Sequence, residues 1–259
     1  MTLAGSSTDV PHYDIVVRSH SGEESVYRTS RPLFDGGADN VLGKGTRVWE
    51  AFRVDAVSGT TLGKPVVIKD SWVGQQRERE GDILARIRES ASVLDEADRA
   101  LLEDALVNVV DHGDVYIAGK RDCTRSTEWE STKCFNDPHQ YFARPNTTTV
   151  QAHYRLVYQE VCEPLRAETC LATAFSAVAR ICTSTYFSSP SKTMNSYVTA
   201  LSLLHKCGWI HGDISTSNIL MQDGKAKLSD FECAQKDGEV KEHDRVVSVS
   251  ILCSAEYGC

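Results

Sequence analysis

A chain of 259 residues with a formal net charge of −8, 41% hydrophobic and 25% charged, has the make-up of a globular protein folded as one large domain or two lobes. The negative balance and the absence of a long basic run argue against nucleic acid as the main partner, and no apolar run reaches the length that spans a bilayer, so no membrane partner is expected. The opening MTLAGSSTDVPHYD lacks the basic start and apolar core of a secretory signal, and nine scattered cysteines without a C-x-x-C pair fit reduced thiols in the cytoplasm or nucleus.

Met1 to Pro11 reads as a loose polar tail. Ile15-Val16-Val17 and Ser25-Val26-Tyr27-Arg28 read as short strands forming a small sheet ahead of the main domain. Val41 to Ala51 then carries Gly43-Lys44-Gly45, a turn between strands. Such a turn lets backbone N–H groups approach a phosphate closely, and it equally serves a plain reversal of the chain. Pro65-Val66-Val67-Ile68-Lys69 reads as a buried strand in which Val67 and Lys69 share a face. Gln75 to Glu89 has helical spacing: Glu80 is followed by Ile83, Leu84 and Ile87, which puts this carboxylate beside the apolar stripe, whereas Glu78 lies off it.

Asp95 to Leu106 reads as a second helix, and Val107–Val110 and Val115–Ile117 as strands. Lys120 to Val150 is polar and without period, a long surface insertion. Tyr154 to Val161 is a strand leading into Cys162-Glu163-Pro164-Leu165. Glu168 to Phe187 is helical in composition until Pro190 breaks the pattern. A further helix runs from about Thr193 to His205, with Met194, Tyr197, Val198, Leu201, Leu204 and His205 on one face.

The most informative stretch runs from Leu201 to Glu232. Asp223-Gly224 between Ile219-Leu220-Met221 and Ala226-Lys227-Leu228 is a strong two-residue hairpin signal. With that turn Gln222 faces Lys225, Leu220 faces Lys227 and Asn218 faces Ser229, next to Asp230. Asp213 lies in the loop just upstream. Two carboxylates and an amide at the mouth of one hairpin make an oxygen-rich site of the kind Mg²⁺ takes, though Asp and Asn are also ordinary turn residues.

Order and spacing add a family resemblance. His211-Gly212-Asp213-Ile214-Ser215-Thr216-Ser217-Asn218 resembles the kinase loop H-R-D-L-x-x-x-N, and Asp230-Phe231-Glu232 resembles D-F-G. Val66-Val67-Ile68-Lys69 fits the V-A-I-K position, and Glu80 with Ile83-Leu84 fits the helix whose glutamate pairs with that lysine. Together with Gly-Thr-Arg-Val-Trp at residues 45–49, the set is similar to the fungal-type protein kinase family over roughly Leu33 to Gln235.

The resemblance implies a bilobal, protein kinase-like α+β fold with ATP between the lobes. Residues 1–32 would be an N-terminal extension. Residues 33–161 would form an antiparallel-sheet N-lobe with helix C and the insertion at about 120–150, and residues 162–259 a mainly helical, incomplete C-lobe. It also implies roles. Asp213 would accept the proton of a Ser or Thr hydroxyl on a protein substrate, and Asn218 and Asp230 would hold Mg²⁺. Lys69, paired with Glu80, would bind the α- and β-phosphates under the Gly43, Gly45 and Val48 loop. Glu160 and Val161 would offer backbone groups to the adenine edge, with Val67 and Leu220 also at the nucleotide and Tyr158 at the back of its pocket.

Several positions depart from the pattern. The loop lacks a third glycine and its valine comes two residues early. Gly212 replaces an arginine that grips a phosphorylated activation loop, so activity is expected to be independent of such phosphorylation. Ser215 replaces the usual lysine near the γ-phosphate, and Glu232 replaces glycine. No Ala-Pro-Glu follows Asp230 before Cys259, so the chain reads as a truncated kinase domain, in which Val246 to Leu252 is a strand-like apolar run. Two other functions therefore stay open. One is a pseudokinase acting as a nucleotide-binding or interaction module; the other is a small-molecule phosphotransferase, whose loop His-Gly-Asp-x-x-x-x-Asn also resembles.

Overall fold

The computed structural model describes residues 12–35, 45–124, 150–182 and 200–238, and the backbone of 248–249. It divides into two compact units. Met1–Gly63, Ile68–Arg77 and Asp111–Leu156 make the first; Lys64–Val67, Glu78–Val110 and Val157–Cys259 make the second.

The first unit is organised on β1 (Asp14–Arg18), β2 (Glu24–Asp35), β3 (Arg47–Val54), β4 (Thr61–Gly74), β5 (Val109–Asp114) and β8 (Gln151–Tyr158), in the sheet order β1-β2-β3-β4-β8-β5. A short hairpin, β6 (Tyr116–Ile117) with β7 (Lys120–Arg121), stands beside it in sequence. In β1 the alternation expected of a half-buried strand is present: Ile15 and Val17 are buried while Asp14, Val16 and Arg18 are exposed. The strands expected as a separate small sheet are thus one edge of the six-stranded sheet, because β2 runs on to pair antiparallel with β3. That pairing shifts register between Thr29 and Arg31 and again between Pro32 and Phe34. Pro32 has no N–H to give the ladder, and bulges are where such residues are tolerated.

The second unit contains α1 (Glu80–Ser90), α2 (Glu96–Ala105), α3 (Leu171–Cys182) and α4 (Ala200–Lys206). Its strands are β9 (Glu163–Pro164), β10 (Trp209–Ile210), β11 (Asp213–Ile214), β12 (Ile219–Gln222), β13 (Lys225–Leu228), β14 (Gln235–Lys236) and β15 (Ser248–Val249). Helix α1 carries Glu80 and Asp82 in its first turn and Arg88 in its last, matching the helix dipole, and buries Ile83, Leu84 and Ile87. Helix α2 begins at Asp95, whose carboxylate accepts the Asp98 N–H at 2.8 Å as an N-cap.

The hairpin β12–β13 is flanked by β9, with Leu220 opposite Pro164 and Met221 opposite Glu163. β11 pairs in parallel with β15, Asp213 against Ser248 and Ile214 against Val249. The core of this unit is built from Leu84, Leu102, Leu106, Leu203, Trp209 and Phe231, each at most 2% exposed. Of the expected elements, residues 125–149 of the insertion, 183–199 between and within the two long helices, and Gly43 lie outside the described residues. No helix among the described residues is long and apolar enough to cross a membrane.

Candidate active site

The hairpin turns at Asp223 and Gly224, both with positive φ (49° and 76°), the pair of conformations a two-residue type I′ turn requires. Its register is the one the Asp-Gly signal dictates: Gln222 faces Lys225 and Leu220 faces Lys227. One step on, Ser229 N–H donates to the Asn218 carbonyl at 3.0 Å and the Ser229 hydroxyl donates to the same oxygen at 3.1 Å. Asn218 is thereby locked to the residue before Asp230. Its side-chain amide donates to the Asp213 backbone carbonyl at 3.0 Å and to Asp213 Oδ2 at 3.2 Å. The local chain thus joins Asp213 to Asn218 and seats Asn218 against Ser229, which follows β13 and precedes Asp230.

His211 is 2% exposed. Its Nε2–H donates to the Ser229 carbonyl at 3.0 Å, while Nδ1 faces the Asp213 N–H at 3.4 Å. Its ring packs against Phe231 with centroids 4.5 Å apart. Burial holds its pKa below the ordinary histidine value; the Ser229 carbonyl, Asp230 and Asp213 pull the other way without overcoming it. A neutral, buried ring with both nitrogens committed serves to fix the loop.

Gly212 has φ 82°, and a Cβ there would stand 2.4 Å from the Cys233 carbonyl oxygen. The short 3₁₀ turn Phe231–Cys233 therefore lies directly on the glycine, which gives a steric reason for the missing arginine.

Glu80 is 4% exposed, on the inward side of α1 as its spacing indicated. Its Oε1 accepts from the Tyr158 hydroxyl at 2.5 Å and from the Phe231 N–H at 3.0 Å. Lys69 is half-buried on β4 in the first unit. Gly45 lies two residues before β3, where a Cβ would come 3.3 Å from the Trp72 ring, and Val48 is half-buried on β3 opposite Phe34. Val67 is buried on β4, and Leu220 and Val161 are half-buried.

Glu160 does more than its backbone was expected to do. Its carboxylate accepts from the Asn108 N–H at 3.0 Å and the Asn108 amide at 2.6 Å, and pairs with Lys227 Nζ at 3.1 Å. Lys227 also donates to the Leu106 carbonyl at 3.0 Å. Beside this pair, burial and the Glu160 charge push the Cys162 thiol up to about 11, which makes it a poor nucleophile.

Residues 6–246 match the fungal protein kinase family. The chain belongs to the fungal protein kinase family. As a member it is a protein kinase-like domain. No curated protein matches the sequence. Among 220 matching chains of solved structures is a ROP18 kinase domain in complex with AMP-PNP and sucrose, 14% identical, with a TM-score of 0.43 over 86% of this chain and 56% of that one. This fungal protein kinase chain thus spans little more than half the length of that kinase domain.

Two structural residues of this family member escaped the sequence reading. Lys227 sits inside an apolar run, and nothing in the pattern around Glu160 gives its side chain a role. A weak signal was available: Lys227 lies between Ala226 and Leu228, and all three are buried because the strand is covered on both faces.

Proposed function

We propose that this chain binds ATP with Mg²⁺ and transfers the γ-phosphoryl group to Ser or Thr hydroxyls of proteins, in the cytoplasm or nucleus. The observation that carries the reading is the joined set Asp213–Asn218–Ser229, which leads straight into Asp230. Asp213 and Asp230 contribute carboxylates. The Asn218 amide nitrogen is committed to Asp213, which turns its oxygen to the other side of the group. Such an all-oxygen donor set suits Mg²⁺, so Asn218 and Asp230 would hold the ion and Asp213 would face the acceptor.

Bound Mg-ATP supplies the phosphoryl group and neutralises its charge. The chain's own residues do the rest by positioning. Asp213, steadied by the Asn218 amide, orients the hydroxyl and takes up its proton. By the family's pattern, Lys69 would bind the α- and β-phosphates, with Gly43, Gly45 and Val48 over them. The backbones of Glu160 and Val161 would meet the adenine edge, with Val67 and Leu220 against the base. The Asn108 and Lys227 contacts of the Glu160 carboxylate support this by holding that segment in place.

Two positions favour a second reading, a nucleotide-binding module without transfer. Ser215 provides no cation for the γ-phosphate, and Glu232 adds a negative charge beside Asp230. The test is phosphate transfer to a Ser/Thr-rich polypeptide, with Mg-ATP binding followed by thermal shift. Asp213→Asn is expected to lower transfer by about 10²- to 10⁴-fold and to keep binding. Binding without transfer, equal in wild type and Asp213→Asn, establishes the module. Transfer to small alcohols but to no polypeptide moves the substrate class to small molecules.

A further inference from the structure

Asp230 occupies the left-handed region, with φ 63° and ψ 62°, a conformation that Asp adopts more readily than most side chains and that its neighbours here fix in place. What fixes it can be traced through named bonds. The residue that follows, Phe231, is fully buried, and its N–H lies 3.0 Å from Glu80 Oε1. Its ring is held by His211, which is itself tied to the Ser229 carbonyl. The same Glu80 oxygen accepts the Tyr158 hydroxyl at 2.5 Å. Tyr158 is 8% exposed, at the end of β8 and two residues before Glu160, whose carboxylate is anchored in turn by Asn108 and Lys227.

One buried carboxylate oxygen therefore takes two donors, a phenol from the strand and an amide from the turn that aims Asp230. A buried carboxylate is oriented by the donors that reach it, and these two fix where Oε1 stands. The Phe231 amide, in turn, has no water to fall back on if Glu80 moves.

We infer that Tyr158 is a positioning residue for the metal-binding Asp230, acting through its hydrogen bond to Glu80 and the Glu80 bond to the Phe231 backbone. The inference rests on the nucleotide-and-metal reading of the site. It also assigns a device to the position where glycine is replaced by Glu232: the turn is held by a side-chain relay instead of being left to swing.

The test uses Tyr158→Phe, which keeps the ring and removes only the hydroxyl. ATP affinity is measured with Mg²⁺ and with EDTA, and the ratio of the two reports metal coupling independently of any change in the base pocket. The ratio is expected to fall about tenfold in the variant. Hydrogen exchange of the Phe231 amide, measured on the chain without nucleotide, is expected to rise by about the same factor. An unchanged Mg²⁺ ratio, even with a lowered melting temperature, makes Tyr158 a packing residue and overturns the inference while leaving nucleotide binding intact. A wild-type chain that binds no ATP overturns the nucleotide reading and this inference together, and so separates the two failures.

Discussion

Each unit holds a histidine of low exposure, and their pKa values are shifted in opposite directions. In the first unit His153 lies between two carboxylates, Nε2 at 2.7 Å from Asp70 Oδ1 and Nδ1 at 2.9 Å from Asp122 Oδ2, with its ring stacked on Trp72 at 4.7 Å. Burial lowers its pKa, but Asp70 and Asp122 outweigh that and hold it above the ordinary value. Burial likewise works to raise Asp70, yet His153 and Arg155 hold it below the ordinary carboxylate value. In the second unit His211 meets a backbone carbonyl and an aromatic ring, and burial wins. His153 is the less buried of the two and touches two carboxylates, whereas His211 is more deeply buried and, among the described residues, touches none directly; both differences act in the same direction.

The sign of the pH dependence follows. The folded pKa of His153 is raised, so its contribution to stability is full below the unfolded value of about 6.5 and is lost as pH rises through the folded value. The folded pKa of His211 is lowered, so its contribution is full above about 6.5 and is lost as pH falls through the folded value. Asp70 contributes above the unfolded carboxylate value, near 4, and loses that contribution as pH falls through its lowered one. The His153 cluster therefore loses its contribution as pH rises and His211 loses its own as pH falls, while elsewhere in the second unit the Glu160–Lys227 pair holds its segment through charge.

The largest expected effect tests the second unit's reliance on that pair. Glu160 and Lys227 side chains are 9% and 7% exposed. Glu160→Gln leaves the lysine's charge buried and is expected to cost about 4 kcal/mol in urea unfolding at neutral pH. A cost below about 1 kcal/mol, the range of surface pairs, would mean that the pair is hydrated and does not anchor the segment.

Next comes the loop's backbone. Gly212→Ala sets a Cβ against the Cys233 carbonyl at a positive φ and is expected to cost about 3 kcal/mol. Circular dichroism melts would expose a neutral substitution, which would show that the 3₁₀ turn can move away from the loop.

The smallest effect sharpens the contrast itself. Asp70→Asn is expected to cost about 2 kcal/mol at pH 5.5 and less at pH 9, because the charge on His153 that Asp70 stabilises is lost as pH rises while the Arg155 contact at 3.0 Å stays. Equal losses at both pH values would show that His153 is uncharged in the folded chain at both.

Where an interaction spans few residues, it could be read in advance. The hairpin register and the Asn218–Ser229 closure were legible because a two-residue turn leaves no freedom in what faces what. Glu80 was legible as inward because helical periodicity alone places it beside Ile83, Leu84 and Ile87. The bond from Tyr158 to Glu80 crosses 78 residues, that from Phe231 to Glu80 crosses 151, and that from His153 to Asp70 crosses 83. No local pattern encodes such meetings.

The sequence by itself therefore determined the periodic faces, the turn and the order of the kinase-like motifs, because these depend on neighbours a few residues away. Only the tertiary structure decided which buried charges meet, why position 212 must be glycine, and in which direction each histidine's pKa moves. Those outcomes depend on burial and on partners that sequence distance hides, and in a low-dielectric interior the partner fixes the charge.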